Sequence, residues 1–275
     1  MSTSALKKIF SISFGCTLIL LCIYAYLNKH LNGDFWQTMQ QSRSALTAEY
    51  CELDQVTHFF RQTINTYSNL SYFFLGCIIL GIGIFDLKNK NSATKNSIQH
   101  FPALSILFGC CLIYLCFGSS FFHASLSWIG QRFDMNATYS IALVSIGICL
   151  HRLKGNSNIS VQYKAIFIII LLLLMLIFVQ LHLLISSSIL LPFLFLIIVG
   201  ITTYHYLKNK HKFNLSYALI SFILLIIAYI LRIVDVKKTI CQPQSIIQLH
   251  ALWHIFTGLS AFMLYLFYRK EKKTS

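Results

Sequence analysis

A run of 22 residues, from 162 to 183, reads QYKAIFIIILLLLMLIFVQLHL. Its only charged residue is Lys164, close to its start. About 20 consecutive apolar residues are enough to cross a lipid bilayer as a helix. Seven further stretches of similar length and composition predict a chain with eight membrane-spanning helices. The eight predicted spans are 9–27, 65–85, 101–125, 133–151, 162–183, 187–207, 214–234 and 245–268.

The composition of the whole chain agrees with this interpretation. Of its 275 residues, 56% are hydrophobic and 11% are charged, whereas a soluble domain carries about 25% charged residues. A soluble protein this apolar could not cover its surface with polar groups. Intrinsic disorder is excluded as well, because disordered chains have low hydrophobicity. The predicted fold class is therefore an all-α, polytopic membrane protein.

The net charge of +14 is arranged as a topology signal. The lysines form short clusters between apolar runs and no basic stripe, so we expect no nucleic-acid partner. With eight spans, both termini lie on the same side of the membrane. Fifteen of the 22 lysines and arginines fall on that side, so the positive-inside rule predicts that both termini are cytoplasmic. The loops 28–64, 126–132 and 235–244 would then face outward.

The first span could also be interpreted as a secretory signal peptide, because Lys7 and Lys8 precede it. The apolar stretch is long, and no cleavage site with small residues follows it. We therefore expect this helix to be retained in the protein.

Polar side chains inside the predicted spans indicate function, because they are costly in the hydrocarbon region. Ser119 and His123 lie near the end of the third span, Asp134 starts the fourth, and His250 and His254 begin the eighth. The third span runs outward, while the fourth and eighth run inward. All five residues should therefore lie at one depth, near the extracytoplasmic side.

The spacing of these residues indicates a metal site. Residues four apart lie on the same face of a helix, so His250 and His254 can bind one ion, and Ser119 shares a face with His123. Three imidazoles and a water form a common open zinc site, and zinc lowers the pKa of bound water to about 7. Asp134 could orient that water and transfer its proton. The alternative is that these side chains only form hydrogen bonds between helices.

Other polar residues receive structural interpretations. We expect Asp86 and Asp235 at span ends to be solvated, and Arg232 to pair with Asp235. The polar 28–64 loop either covers the mouth of the site or only packs on the helices. The remaining histidines outside the site are expected in solvated loops or at solvated span ends, namely His30, His58, His100, His151, His205 and His211.

Three sequence blocks together carry a resemblance to a known family. They are Cys51-Glu52 with Arg61-Gln62-Thr63-Ile64-Asn65-Thr66-Tyr67-Ser68-Asn69-Leu70, then Gly118-Ser119 with His123 and Asp134, and finally His250-Ala251-Leu252-Trp253-His254 with Thr257-Gly258. With these blocks the chain resembles the alkaline ceramidases. That family lies within a wider superfamily of seven-helix membrane hydrolases that includes the adiponectin-receptor-like proteins.

The resemblance implies an architecture and an activity. It implies a seven-helix hydrolase core at 65–275, an additional N-terminal transmembrane helix at 1–30 and an extracytoplasmic loop at 31–64. The implied reaction is zinc-dependent hydrolysis of ceramide-like N-acyl sphingoid lipids to a fatty acid and a sphingoid base.

The resemblance also implies roles for individual residues. It makes His123, His250 and His254 the zinc ligands. Ser119 would stabilise the developing oxyanion, and Asp134 would handle the proton of the attacking water.

Two further features follow from the same resemblance. The family has a disulfide between the N-terminal loop and the last outer loop, and an oxidising compartment would permit it here between Cys51 and Cys241. The family also has a calcium site in the N-terminal loop, to which Glu52, Asp54 and Asn65 could contribute. Gln62 stands where that family has a glutamate, and loss of a charged ligand weakens calcium binding. A calcium site therefore stays open.

Alternative functions also stay open. The chain could be a non-catalytic, metal-containing receptor-like protein or a hydrolase of another lipid amide. It could also be a transporter or a structural membrane protein without a metal. Substrate chain length, the cellular membrane and the oligomeric state do not follow from the sequence.

Overall fold

The computed structural model describes residues 1–89, 96–153, 160–185, 187–208, 210 and 213–270. Within these ranges the chain forms α-helices and no β-strand, and eight helical segments are long and apolar enough to cross a membrane. The prediction of an all-α, polytopic membrane protein is thus confirmed. The helices are α1 (Thr3–His30), α2 (Arg43–Leu46), α3 (Thr63–Ser68), α4 (Leu70–Lys88), α5 (Ser97–His100), α6 (Pro102–Ser125), α7 (Trp128–Leu153), α8 (Val161–Leu184), α9 (Ser187–Lys208), α10 (Leu215–Val236) and α11 (Leu249–Arg269).

The predicted span limits differ most from the structure at two helix starts. α1 begins at Thr3 and α7 at Trp128, earlier than the predicted starts at residues 9 and 133. Ser2 and Ser127 cap the extra turns, because their hydroxyl oxygens accept hydrogen bonds from backbone N–H groups of the following turn. Asp134 therefore lies inside α7 and not at its start. Hydropathy alone does not detect such polar caps.

Some features of the charge analysis lie outside the described residues. They are Lys90, Lys95, Lys154, Lys212, Lys272, Lys273 and His211.

The centre of the bundle is a tight contact between α4 and α6. A Cβ atom added at Gly109 of α6 would lie 2.6 Å from the backbone nitrogen of Leu80 in α4. Small residues allow membrane helices to approach this closely, and dispersion contacts between the backbones then hold them together. The other helices of the bundle pack around these two.

The first helix packs on the outside of this centre, along α4. The rings of Phe10 and Phe74 meet edge to face with their centroids 5.3 Å apart. Most of the other apolar side chains of α1, such as Phe14 and Ile19, are exposed. This surface suits contact with lipid chains.

An ion pair joins the C-terminal ends of α4 and α11. The side chains of Asp86 and Arg269 are both buried, and the guanidinium donates two hydrogen bonds to the carboxylate. Asn96 completes the contact by donating to the carbonyl oxygen of Arg269 at 2.6 Å. The prediction that Asp86 is solvated was therefore wrong, because the end of α11 covers it.

Asp235 is also buried, and this prediction was wrong for a similar reason. Its carboxylate accepts a hydrogen bond of 3.3 Å from the backbone N–H of Cys51 in the long loop. The ion pair of Arg232 is formed with Glu49, at 3.7 Å, and not with Asp235. The loop that precedes α3 thus reaches the end of α10.

Two of the histidines that were expected to be solvated are buried. His205 Nε2 lies 3.0 Å from the carbonyl oxygen of Cys149. The His151 ring packs against Phe101, with centroids 5.1 Å apart. The neighbouring helix ends cover both side chains, whereas His30, His58 and His100 are exposed as expected.

Candidate metal centre

Three histidines from two helices converge near one end of the bundle. His123 lies in the last turn of α6, and His250 and His254 lie in the first turns of α11. One ring nitrogen from each lies within 4.8 Å of the others, and all three side chains are buried. The i, i+4 spacing in α11 places its two imidazoles on one face, as the sequence predicts.

Residues at the two ends of the short helix α3 contact two of these imidazoles. Gln62, immediately before α3, places its side-chain oxygen 2.7 Å from His123 Nδ1. Ser68, at the end of α3, places its hydroxyl 2.7 Å from His254 Nδ1. In metal sites the ring nitrogen that does not bind the ion usually has such a partner, which orients the imidazole. The second nitrogen of each ring is left for a ligand.

Several buried polar atoms at this centre have no hydrogen-bond partner among the described residues. They are His123 Nε2, His250 Nδ1 and the hydroxyl oxygen of Ser119. Buried polar atoms without partners cost free energy and therefore call for an explanation. Three imidazoles are a common donor set for zinc. The residues present thus fit a zinc ion with one open coordination position.

Asp134 reaches the same place from α7 because a glycine allows a close helix contact. A Cβ atom added at Gly118 would lie 3.0 Å from the carbonyl oxygen of Phe133. This approach places Asp134 beside Ser119, and both residues line a cavity together with His250 and His254. Four of the five residues predicted to share one depth therefore line one cavity, and the fifth, His123, lies beside two of them in the histidine cluster.

The long loop covers this end of the bundle, and a disulfide fixes it there. The structure contains the disulfide between Cys51 and Cys241, with a Cα–Cα distance of 5.5 Å. The preceding residue, Tyr50, packs its ring on His250 with centroids 4.2 Å apart. Of the two interpretations of the loop, the structure therefore supports the covering role.

A family model described as Ceramidase matches this chain over residues 42–272. The chain belongs to the ceramidase family. The matched range contains the three histidines, Ser119, Asp134 and both cysteines of the disulfide, and it begins after α1. No curated protein matches the chain.

An apolar cavity of about 450 Å³ adjoins the three-histidine cluster. A second cavity of about 110 Å³ shares several of its wall residues and extends deeper between the helices. Residues from α9 and α10, including Leu191, Phe195, Phe222 and Leu225, line both cavities. A cavity of this size and character suits an acyl chain.

The residues considered for calcium do not fit a calcium site. The Glu52 carboxylate accepts hydrogen bonds from the backbone N–H groups of Ile64 (2.6 Å) and Asn65 (2.8 Å). The Asp54 carboxylate is paired with the Arg61 guanidinium. The side-chain oxygen of Asn65 is left without a partner among the described residues, and one free oxygen does not satisfy a hard cation that takes six to eight.

The Glu52 carboxyl forms hydrogen bonds with the first residues of α3. It accepts two hydrogen bonds at the N-terminus of α3, which is the electrostatically favourable place for a carboxylate. Burial nevertheless raises its pKa to about 7, because the charged form loses its hydration and the two backbone hydrogen bonds offset only part of that loss. Glu52 therefore links the covering loop to the helix that holds the metal centre.

Sequence reasoning missed Gln62 and Ser68 as partners of the histidines. α3 has six residues, which is too short for hydrophobic periodicity to reveal which of its faces points inward. Both residues belong to the block that carries the family resemblance, and that membership is the one signal that could have identified them.

Proposed function

We propose that this protein is a zinc-dependent hydrolase that cleaves the amide bond of ceramide-like N-acyl sphingoid lipids within the membrane. Its products would be a fatty acid and a free sphingoid base. One observation carries the proposal, namely the buried three-histidine cluster beside an apolar cavity. Membership of the ceramidase family supports ceramide hydrolysis independently.

His123, His250 and His254 would hold the zinc ion. When bound, zinc supplies a Lewis acid that polarises the amide carbonyl and activates water at neutral pH. Gln62 and Ser68 keep two of the imidazoles in the orientation that ligation needs.

Two further residues would handle charge and protons. The Ser119 hydroxyl, which has no partner among the described residues, would donate a hydrogen bond to the carbonyl oxygen as negative charge develops there. The Asp134 carboxylate would accept a proton from the attacking water and deliver it to the leaving nitrogen. The carbon–nitrogen bond then breaks, and the hydroxyl oxygen of water stays on the acyl carbon.

The cavity would bind the apolar part of the substrate. Its lining from α9 and α10 accommodates an acyl chain and excludes bulk water from the amide. Lipid substrate and membrane lipids are thus the partners that we propose.

The proposed topology places the N-terminus and C-terminus in the cytoplasm and the metal centre near the extracytoplasmic side. The Cys51–Cys241 disulfide supports this assignment, because disulfides persist in oxidising compartments. We also propose that 65–275 is the hydrolase core, with 1–30 as an added helix and 31–64 as the covering loop. Protease protection of a C-terminal tag in sealed vesicles tests the sidedness.

The decisive test combines metal analysis with a hydrolysis assay on the purified, full-length protein. We expect one zinc ion per chain and release of fatty acid from N-acyl sphingosine, with both products formed in equal amounts. Asp134→Asn should retain the metal and lose turnover.

Other outcomes of this test identify the alternative functions. Bound metal without turnover on any lipid amide would favour a receptor-like protein. Turnover confined to other N-acyl lipids would identify a different amide hydrolase. A protein without metal, unaffected by chelators, would favour a transporter or a structural role.

A further inference from the structure

Tyr50 is the one aromatic residue of the covering loop that contacts two histidines of the metal centre. Its ring centroid lies 4.2 Å from that of His250 and 5.3 Å from that of His123. It also lines the apolar cavity, together with Ser119 and Asp134. A loop residue thus forms part of the wall beside the reacting groups.

Contacts on both neighbours of Tyr50 hold it in place. On one side, Cys51 is tied by its disulfide to Cys241 and donates its backbone N–H to Asp235. On the other side, Glu49 accepts a hydrogen bond from Ser44 at 2.5 Å and lies 3.7 Å from the Arg232 guanidinium. A side chain fixed in this way loses little further conformational freedom when a ligand binds.

The Tyr50 hydroxyl has no hydrogen-bond partner among the described residues, and the side chain lines the cavity. A tyrosine hydroxyl can donate one hydrogen bond to a ligand. The Arg232 side chain lines the same cavity, with its guanidinium 5.9 Å from the centre of the Trp253 ring. Two donors therefore lie at the loop-covered end of a cavity that is apolar at greater depth.

The two donors lie where the polar head of a bound lipid would be. If the scissile amide lies at the histidines and the acyl chain extends into the deeper cavity, the polar head of the lipid lies at the loop-covered end. Glu49 offsets the charge of Arg232, and Asp134 and Asp235 add further acidic groups nearby. This balance favours a neutral head group over a phosphate.

We propose that Tyr50 and Arg232 form a head-group subsite that selects lipid amides bearing a hydroxyl group on the head. The proposal rests on the proposed function and adds a specificity-determining role for two residues. The Tyr50 hydroxyl donates a hydrogen bond to the oxygen of the head-group hydroxyl, and Arg232 supplies the second donor. A substrate without that hydroxyl leaves the Tyr50 hydroxyl without this acceptor, which lowers its kcat/KM.

The test compares three substrates on the full-length protein: N-acyl sphingosine, its 1-deoxy analogue and its 1-phosphate. We expect the wild-type protein to prefer N-acyl sphingosine over the 1-deoxy analogue by up to about tenfold in kcat/KM, the net value of one hydrogen bond. Tyr50→Phe should reduce that ratio severalfold, by lowering kcat/KM for the hydroxylated substrate. The matched control is Tyr26→Phe, the same chemical change on an exposed side chain outside the cavity.

Three results overturn the proposal. They are an unchanged preference in Tyr50→Phe, no preference in the wild-type protein, and a preference for the 1-phosphate. Metal content and the thermal midpoint of each variant show whether it is folded. Arg232→Gln provides a second variant, which should also reduce the preference. If the wild-type protein hydrolyses none of the substrates, the proposed function itself has failed, and this result is distinct from a preference that Tyr50→Phe leaves intact.

Discussion

The two ends of the helix bundle treat buried polar groups in opposite ways. At the loop-covered end, His123 and His250 each bury a ring nitrogen that has no partner among the described residues. At the other end, Asp86 and Arg269 are equally buried, but each satisfies the other. The first arrangement costs stability unless a ligand arrives, whereas the second is complete within the protein. The comparison separates a site built for binding from a contact built for structure.

The covering loop adds to this contrast. A disulfide, a buried carboxylate and a packed tyrosine hold it against the histidines, and it contributes Tyr50 to the cavity wall. The ion pair at the other end lines neither of the two cavities described above. We therefore expect substitutions at the loop-covered end to change function first, and those at the other end to change stability first.

The most severe test of the comparison is removal of a histidine. We expect His250→Ala to lose bound metal and to lower hydrolysis by at least about 100-fold. The loss of a metal ligand should reduce metal affinity more than the loss of a residue that only orients a ligand. Metal content by mass spectrometry and initial rates would measure this. His30→Ala, an exposed histidine at the end of α1, is the control. Normal rates in a metal-free His250→Ala protein would contradict the assignment.

At the opposite end, Asp86→Asn should leave Arg269 as an unpaired buried charge. We expect the free energy of unfolding to fall by about 3–5 kcal/mol, while metal content and kcat/KM of the folded protein stay unchanged. Thermal unfolding in detergent would measure the loss, with the exposed Asp34→Asn as control. The double variant Asp86→Leu/Arg269→Met should recover most of the stability. A loss of metal in Asp86→Asn would contradict the prediction that this end affects only stability.

The Glu52 carboxyl predicts a pH dependence at the loop-covered end. Its pKa is about 7 in the folded protein and near 4.5 when unfolded, so the folded state binds the proton more tightly. Its contribution to stability is complete below about pH 4.5, falls as pH rises toward 7, and is absent above that pH. The full change amounts to about 3 kcal/mol. Unfolding midpoints at pH 5 and pH 8 should therefore differ less in Glu52→Gln than in the wild-type protein. If the unfolding midpoints of the two proteins change equally between pH 5 and pH 8, this role of Glu52 is contradicted.

The smallest expected effect tests the groups behind the metal ligands. Ser68→Ala removes the hydroxyl that contacts His254 Nδ1, and we expect metal affinity to fall by about 10- to 100-fold. Competition with a chelator of known affinity would measure the change. Ser11→Ala, on an exposed face of α1, should have no effect. Equal affinities in the two variants would mean that Ser68 only packs against the ring.

Much of the fold could be predicted from the sequence, and the reason is physical. A span is a local property, since about 20 apolar residues make one whatever they pack against. The pair His250 and His254 was also predictable, because one helical turn places both on one face. His123 and Asp134 could be placed at the same depth from the direction of their spans alone.

The errors arose where burial depends on a neighbour distant in sequence. Asp86 lies at the end of a span, where a solvated carboxylate is the usual expectation, but Arg269 covers it from 183 residues away. Asp235 was misjudged because the loop that contains Cys51 returns to it across 184 residues. In both cases the local sequence resembles that of an exposed helix end.

The sequence by itself determined the number of membrane-spanning helices, their approximate limits and the face shared by two of the histidines, because these depend on composition and on the local geometry of a helix. Only the tertiary structure decided which polar groups are satisfied and which wait for a ligand. Ser68 reaches His254 across 186 residues, and Tyr50 reaches His250 only because a disulfide returns the loop to the start of α11. Such contacts depend on how the helices pack, and no local pattern encodes them.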